Sequence, residues 1–129
     1  MEEAVRRRVR LWAPVAIYMA FIFGISSISS PPDLSTSIGD KGGHAILYSG
    51  LAALLIRALA GGWWRSFGFR IAAAAITLST LYGVTDEIHQ MFVPPRTAEL
   101  ADLVADMVGS VVAVSVLYAA QAVRSRLGR

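Results

Sequence analysis

The sequence predicts an all-α polytopic membrane protein, a four-helix transmembrane bundle with both termini in the cytoplasm. Three observations predict it. The 129 residues are 55% hydrophobic and only 16% charged, against about 25% charged in soluble domains. Four long apolar stretches are separated by helix-breaking joints. The basic residues gather at one set of joints and the acids at the other. The length suits a single membrane domain over residues 1–129 and leaves no room for a separate soluble catalytic domain. The sequence contains no cysteine, which removes disulfide scaffolds, thiolate metal sites and cysteine nucleophiles from consideration.

A spanning helix needs about 20 mostly apolar residues. Residues 11–28 supply the first span and carry no charge. Residues 43–60 supply the second, with His44 near one end and Arg57 near the other. The third, residues 71–88, is uncharged until Asp86. The fourth, residues 100–122, has Asp102 and Asp106 in its first two turns. After the first span, Ser29, Ser30, Pro31, Pro32 and Asp33 stop the helix, because proline lacks an N–H and clashes with the preceding turn. Gly61 and Gly62 end the second span, and Pro94 and Pro95 separate the third from the fourth. Asp40 or Gly42 suits the start of span two, and Thr97 or Glu99 the start of span four. No stretch alternates long enough for a barrel strand. Arg6, Arg7 and Arg8 before an apolar run also resemble a signal peptide. The length of that run, with Pro14 and Tyr18 in it, favours a helix that packs.

Charge placement sets the orientation. Ten of the twelve Lys and Arg lie on one side: Arg6, Arg7, Arg8 and Arg10 before span one, Arg57, Arg65 and Arg70 around the second joint, and Arg124, Arg126 and Arg129 after span four. The other side holds only Lys41 and Arg96, with seven of the nine acids. The positive-inside rule therefore places both termini in the cytoplasm of a multi-pass cell-membrane protein. Trp12, Trp63, Trp64 and Tyr118 fall where a cytoplasmic aromatic belt belongs. The basic balance reads as a topogenic signal and an attraction to anionic lipid of the bilayer, not as a nucleic-acid face. Arg57 reads as a side chain that snorkels to the interface.

The polar residues left over cluster at the outward ends. Spacings of three and four share a helix face. Asp40, His44 and Tyr48 follow one another by four, with Lys41 at the margin. Tyr82, Asp86, His89 and Gln90 fall in one arc, and Glu87 points about a quarter turn away. Glu99, Asp102 and Asp106 form a third stripe, continued by Gly109 and Ser110. Ionisable groups in a membrane face a bundle interior or a wet cavity, so the three stripes are expected to converge. His44, Asp86, His89 and Asp102 would meet, with Lys41 and Arg96 at the mouth. Buried polar networks also simply hold helices together. The excess of carboxylates needs protons, cationic partners or a metal.

These residues carry a resemblance. The run from Asp40, Lys41 and His44 to Tyr48 resembles the first motif of the VanZ-like family of small membrane proteins. Tyr82, Gly83, Asp86, Glu87, His89, Gln90, Phe92, Pro94, Pro95 and Arg96 resemble its central motif. Asp102, Asp106 and Gly109 resemble its last, where the family usually has Asn in place of Asp106. The resemblance spans about residues 10 to 120. It implies a role in the cell envelope, with a link to resistance to the glycopeptide teicoplanin. It implies no particular reaction.

Two classes of chemistry fit the cluster. In an enzyme acting on an amphiphile, His44 or His89 would be base or nucleophile and Asp86 would orient it, with Asp102 as the paired acid. Tyr48 or Tyr82 would donate to the developing charge. Lys41 and Arg96 would grip a phosphate or carboxylate of a lipid headgroup or lipid-linked substrate. Glu87, Gln90 and Asp106 would line the ligand. A divalent-metal version takes Asp86, His89, Asp102 and Asp106 as ligands. The other class is a non-catalytic binding or interaction protein, or a small transporter using the carboxylates as relays.

Overall fold

The computed structural model describes residues 1–29 and 39–128. Four helices account for most of them: α1 (Glu2–Ser26), α2 (Gly39–Ala60), α3 (Phe69–Gln90) and α4 (Leu100–Leu127). There is no strand among the described residues. Residues 30–33 of the first joint, and the side chain of Asp40, lie outside the described set. The helices outrun the apolar stretches that the sequence marks. α1 begins at Glu2 and includes all four N-terminal arginines, and α4 continues to Leu127. Loss of hydrophobicity marks where a helix leaves an apolar layer, and arginine is a good helix former.

Among the described residues, α1, α2 and α4 are long and apolar enough to cross a membrane. The sequence reading gave α3 the same standing. At 22 residues α3 is long enough, but its last turns carry Asp86, Glu87, His89 and Gln90, which dilute its apolar character.

The chain runs up and down, so the starts of α2 and α4 and the ends of α1 and α3 share one end of the bundle. This is called the polar end below, and the opposite end the basic end. α2 packs against all three other helices, most extensively against α4, while α1 touches α2 and α3 but not α4. The α2–α4 contact is close because Gly109 lies directly against the Ala45 backbone. The core is built from Val15, Ile22, Leu51, Ala52, Leu55, Ile56 and Val114. Polarity is otherwise inverted relative to a soluble protein. Ile17, Phe21, Val112 and Val116 are exposed, whereas Ser79, Asp106 and Ser110 are fully buried. That distribution suits an apolar solvent.

Arg57 does more than snorkel. Pro14 sits inside α1 and has no N–H to offer the carbonyl four residues earlier, that of Arg10. The Arg57 guanidinium donates to that Arg10 carbonyl at 3.1 Å and to the Leu11 carbonyl at 3.2 Å. A basic side chain on α2 thus satisfies the acceptor that the proline leaves open.

Candidate functional site

Three helices bring polar side chains together at the polar end. From α2, successive turns present Lys41, His44 and Tyr48. From α4, Asp102 and Asp106 face them one turn apart. His44 Nδ1 lies 2.9 Å from Asp106 Oδ1, and its Nε2 lies 3.9 Å from Asp102 Oδ2. The imidazole therefore sits between two aspartates, and both are buried. Nearer the end of the bundle, Lys41 Nζ donates to Glu99 Oε2 at 2.9 Å and to Asp102 Oδ1 at 3.2 Å. The hydrogen bond from Lys41 holds the exposed Glu99 carboxyl below the ordinary carboxylate range. Lys41 is half-exposed, so it forms a rim above the buried histidine.

α3 splits its polar residues between two faces. Gly83, Glu87 and Gln90 recur at helical spacing and turn toward α4, with buried Asp86 beside them. Glu87 Oε2 accepts the Glu99 backbone N–H at 2.8 Å, and Gln90 Nε2 donates to Asp86 Oδ2 at 3.1 Å. Tyr82 and His89, two turns apart, face α1 instead. The Tyr82 hydroxyl donates to the Met19 carbonyl at 2.6 Å. His89 Nε2 meets Ser27 Oγ at 2.9 Å, and its ring stacks on Phe23 with centroids 4.1 Å apart.

The structure thus brings together His44, Asp102, Asp106, Glu87 and Lys41, with Asp86 and Gln90 adjoining. It does not bring His89 to them. Glu87, a quarter turn from the arc of Tyr82, Asp86 and His89, lies in the cluster, where it was expected to line the ligand. Gly83, one turn earlier, was the available signal. An added Cβ there would lie 2.6 Å from Asp106 Oδ2, so position 83 marks the face of α3 pressed on α4. Glu99 was expected at the start of span four, in one stripe with Asp102 and Asp106. It is the N-cap of α4 and pairs with Lys41. Arg96 lies in the α3–α4 turn, its backbone N–H bonded to the Val93 carbonyl at 2.8 Å. Its Nη1 is buried without a partner among the described residues.

Beneath the cluster a hydroxyl pair joins the helices. Ser110 Oγ lies 2.8 Å from both Ser79 Oγ and the Asp106 carbonyl, and both serines reach the Tyr48 carbonyl at 3.4 Å. This network is satisfied and reads as helix-to-helix adhesion. Above it the accounting changes. Tyr48 hydroxyl, Asp86 Oδ1, Glu87 Oε1 and Asp106 Oδ2 are buried with no partner among the described residues. Each such atom costs about 1–3 kcal/mol if nothing meets it. All four lie at the polar end of the bundle, where the Tyr48 hydroxyl and the Asp86 carboxylate adjoin each other and Glu87 Oε1 and Asp106 Oδ2 are left without any protein donor among the described residues.

The family model VanZ/LLP1 matches residues 6–121. No curated protein and no solved structure matches the chain.

Proposed function

The chain belongs to the VanZ/LLP1 family, and from that premise we propose that it is a cell-envelope membrane protein whose polar end faces outward and receives the polar head of an anionic amphiphile, a lipid or a lipid-linked cell-wall intermediate. All four helices cross the bilayer in this reading, with both termini cytoplasmic. The carrying observation is the group of buried, unpartnered polar atoms at the polar end, roofed by Lys41, with Arg96 in the α3–α4 turn at the same end. Arg96 has an unpartnered donor to offer a phosphate, and a guanidinium binds phosphate through two parallel hydrogen bonds. Lys41 can exchange a carboxylate for a headgroup oxygen without being stripped of water, because it is half-exposed. A link to teicoplanin is read the same way: a protein that engages a cell-wall precursor at the outer leaflet would alter the target of a glycopeptide.

Catalysis is favoured as a second reading by one feature. Asp106 holds one ring nitrogen of His44, leaving the other free, and a carboxylate-oriented imidazole is the usual general base. Incubating the purified protein with lipid-linked phosphates separates the two. Product formed by the wild type and lost in His44→Ala assigns a reaction, and saturable binding without product assigns a binding protein. Absence of both refutes the proposal.

Orientation is tested by labelling. Thr97 and Ser66 are exposed at opposite ends. In intact cells an impermeant maleimide should modify Thr97→Cys, and should modify Ser66→Cys only after permeabilisation. The opposite pattern would turn the site toward the cytoplasm and remove the outer-leaflet ligand.

A further inference from the structure

We infer that the centre of the cluster is a divalent transition-metal site formed by His44, Glu87 and Asp106. One ring nitrogen of His44 and one carboxylate oxygen from each acid all lie within 4.8 Å of one another, and all three residues are buried. Ligands about 2.0–2.2 Å from a shared ion sit roughly 3 Å apart, so small side-chain rotations close the site. The residues come from three helices: α2, α3 and α4.

A group of acids alone would not make a site. The second observation is how the oxygens are used. Glu87 has one oxygen held by the Glu99 backbone N–H, and its other, Oε1, is free. Asp106 has Oδ1 against His44 and Oδ2 free. Glu87 is 6% and Asp106 0% exposed, so water does not meet these free oxygens from bulk. Glu87, with one oxygen oriented by a backbone donor and the other left open, is in the usual condition of a metal-ligating carboxylate. The packing positions the ligands. Gly83 lets Asp106 come close against α3, which carries Glu87, and Gly109 lets α4 approach α2 closely enough for Asp106 to reach His44.

Charge supports a cation. Asp86, Glu87, Asp102 and Asp106 are all buried. The permanently charged cation on them among the described residues is Lys41, and it is shared with Glu99. A divalent ion offsets two of the negative charges where they are most crowded. One imidazole and two carboxylates suit Zn²⁺ or Mn²⁺ better than Mg²⁺ or Ca²⁺, which take oxygen alone. Three protein ligands leave further positions open. An anionic headgroup oxygen would fill one. The ligand set differs from the one read off the sequence, since His89 is turned to α1.

This inference rests on the proposed location of the site and not on the amphiphile, so the test uses the metal alone. Chelator-stripped full-length protein in detergent is dialysed against Zn²⁺ and, separately, Mn²⁺, and bound metal is counted by elemental analysis. One equivalent per chain is expected. Glu87→Gln and Asp106→Asn, both near-isosteric, should each weaken binding by at least about tenfold, while His89→Gln binds as the wild type does. Helical circular dichroism and gel filtration select the variants that fold, and either of the two carboxylate variants suffices. No stoichiometric uptake by the wild type, or wild-type affinity in a folded Glu87→Gln or Asp106→Asn protein, overturns the inference. Metal uptake without any amphiphile binding would keep the metal site and refute the headgroup reading.

Discussion

Gly109→Ala is expected to destabilise the bundle by about 3 kcal/mol or more, at or above the upper end for overpacking. The added Cβ would overlap the carbonyl and Cα of Ala45. These are backbone atoms inside a helix, so no side chain can swing away and α2 and α4 must part. That contact is the largest in the fold and also sets His44 against Asp106. Intrinsic propensity works the other way, since alanine is worth up to about 1 kcal/mol over glycine in a helix. Gly24→Ala supplies the comparison, because nothing lies within 4 Å of a Cβ there, and it should hold or gain stability. Thermal or denaturant unfolding in detergent micelles reads both. An unchanged midpoint for Gly109→Ala would mean that the two helices do not approach as described.

Asp102→Asn is expected to leave the fold intact and weaken ligand binding by about tenfold or more, equivalent to roughly 1.4 kcal/mol. Removing one partner of a buried ion pair usually costs about 3–5 kcal/mol, because the other charge is stranded. Lys41 is not stranded. It is half-exposed and keeps Glu99. Asparagine preserves the volume of Asp102 and one acceptor, and the substitution removes a negative charge from beside Glu87 and Asp106, which relieves repulsion. Binding should suffer because Asp102 positions both the Lys41 ammonium and the free side of His44. If Asp102→Asn and Asp86→Asn both unfold the protein, the carboxylates are scaffold and the ligand site does not exist.

Much of this was legible in the sequence for a physical reason. Four apolar stretches and three joints carry helix count and order, because membrane helices are specified by composition and broken by proline and glycine pairs. The polar end was legible from the shared position of three stripes. What was not legible was rotation about the helix axis. α3 is polar around most of its last two turns, so its wheel does not say which side chains face α4. Gly83 decides it, by admitting Asp106, and the sequence does not display which side chain lies against a glycine. His89 went to α1 because Ser27 and Phe23 were waiting there, residues that no periodicity links to position 89. The partner of Arg57 was hidden in a similar way: it is a carbonyl released by Pro14, a backbone group that the sequence does not display.

The central claim is that the polar end is a receptor for an anionic headgroup and not an adhesive core. Titration of a polyprenyl phosphate into the protein held in lipid nanodiscs, with Lys41→Gln, Arg96→Gln and Arg124→Gln alongside, tests it most directly. Arg124 lies at the basic end, its guanidinium over Trp64. The wild type should saturate at one amphiphile per chain, Lys41→Gln and Arg96→Gln should each weaken binding by about tenfold, and Arg124→Gln should match the wild type. Equal affinity in all four proteins, or loss only in Arg124→Gln, would contradict the assignment of the polar end as the binding site.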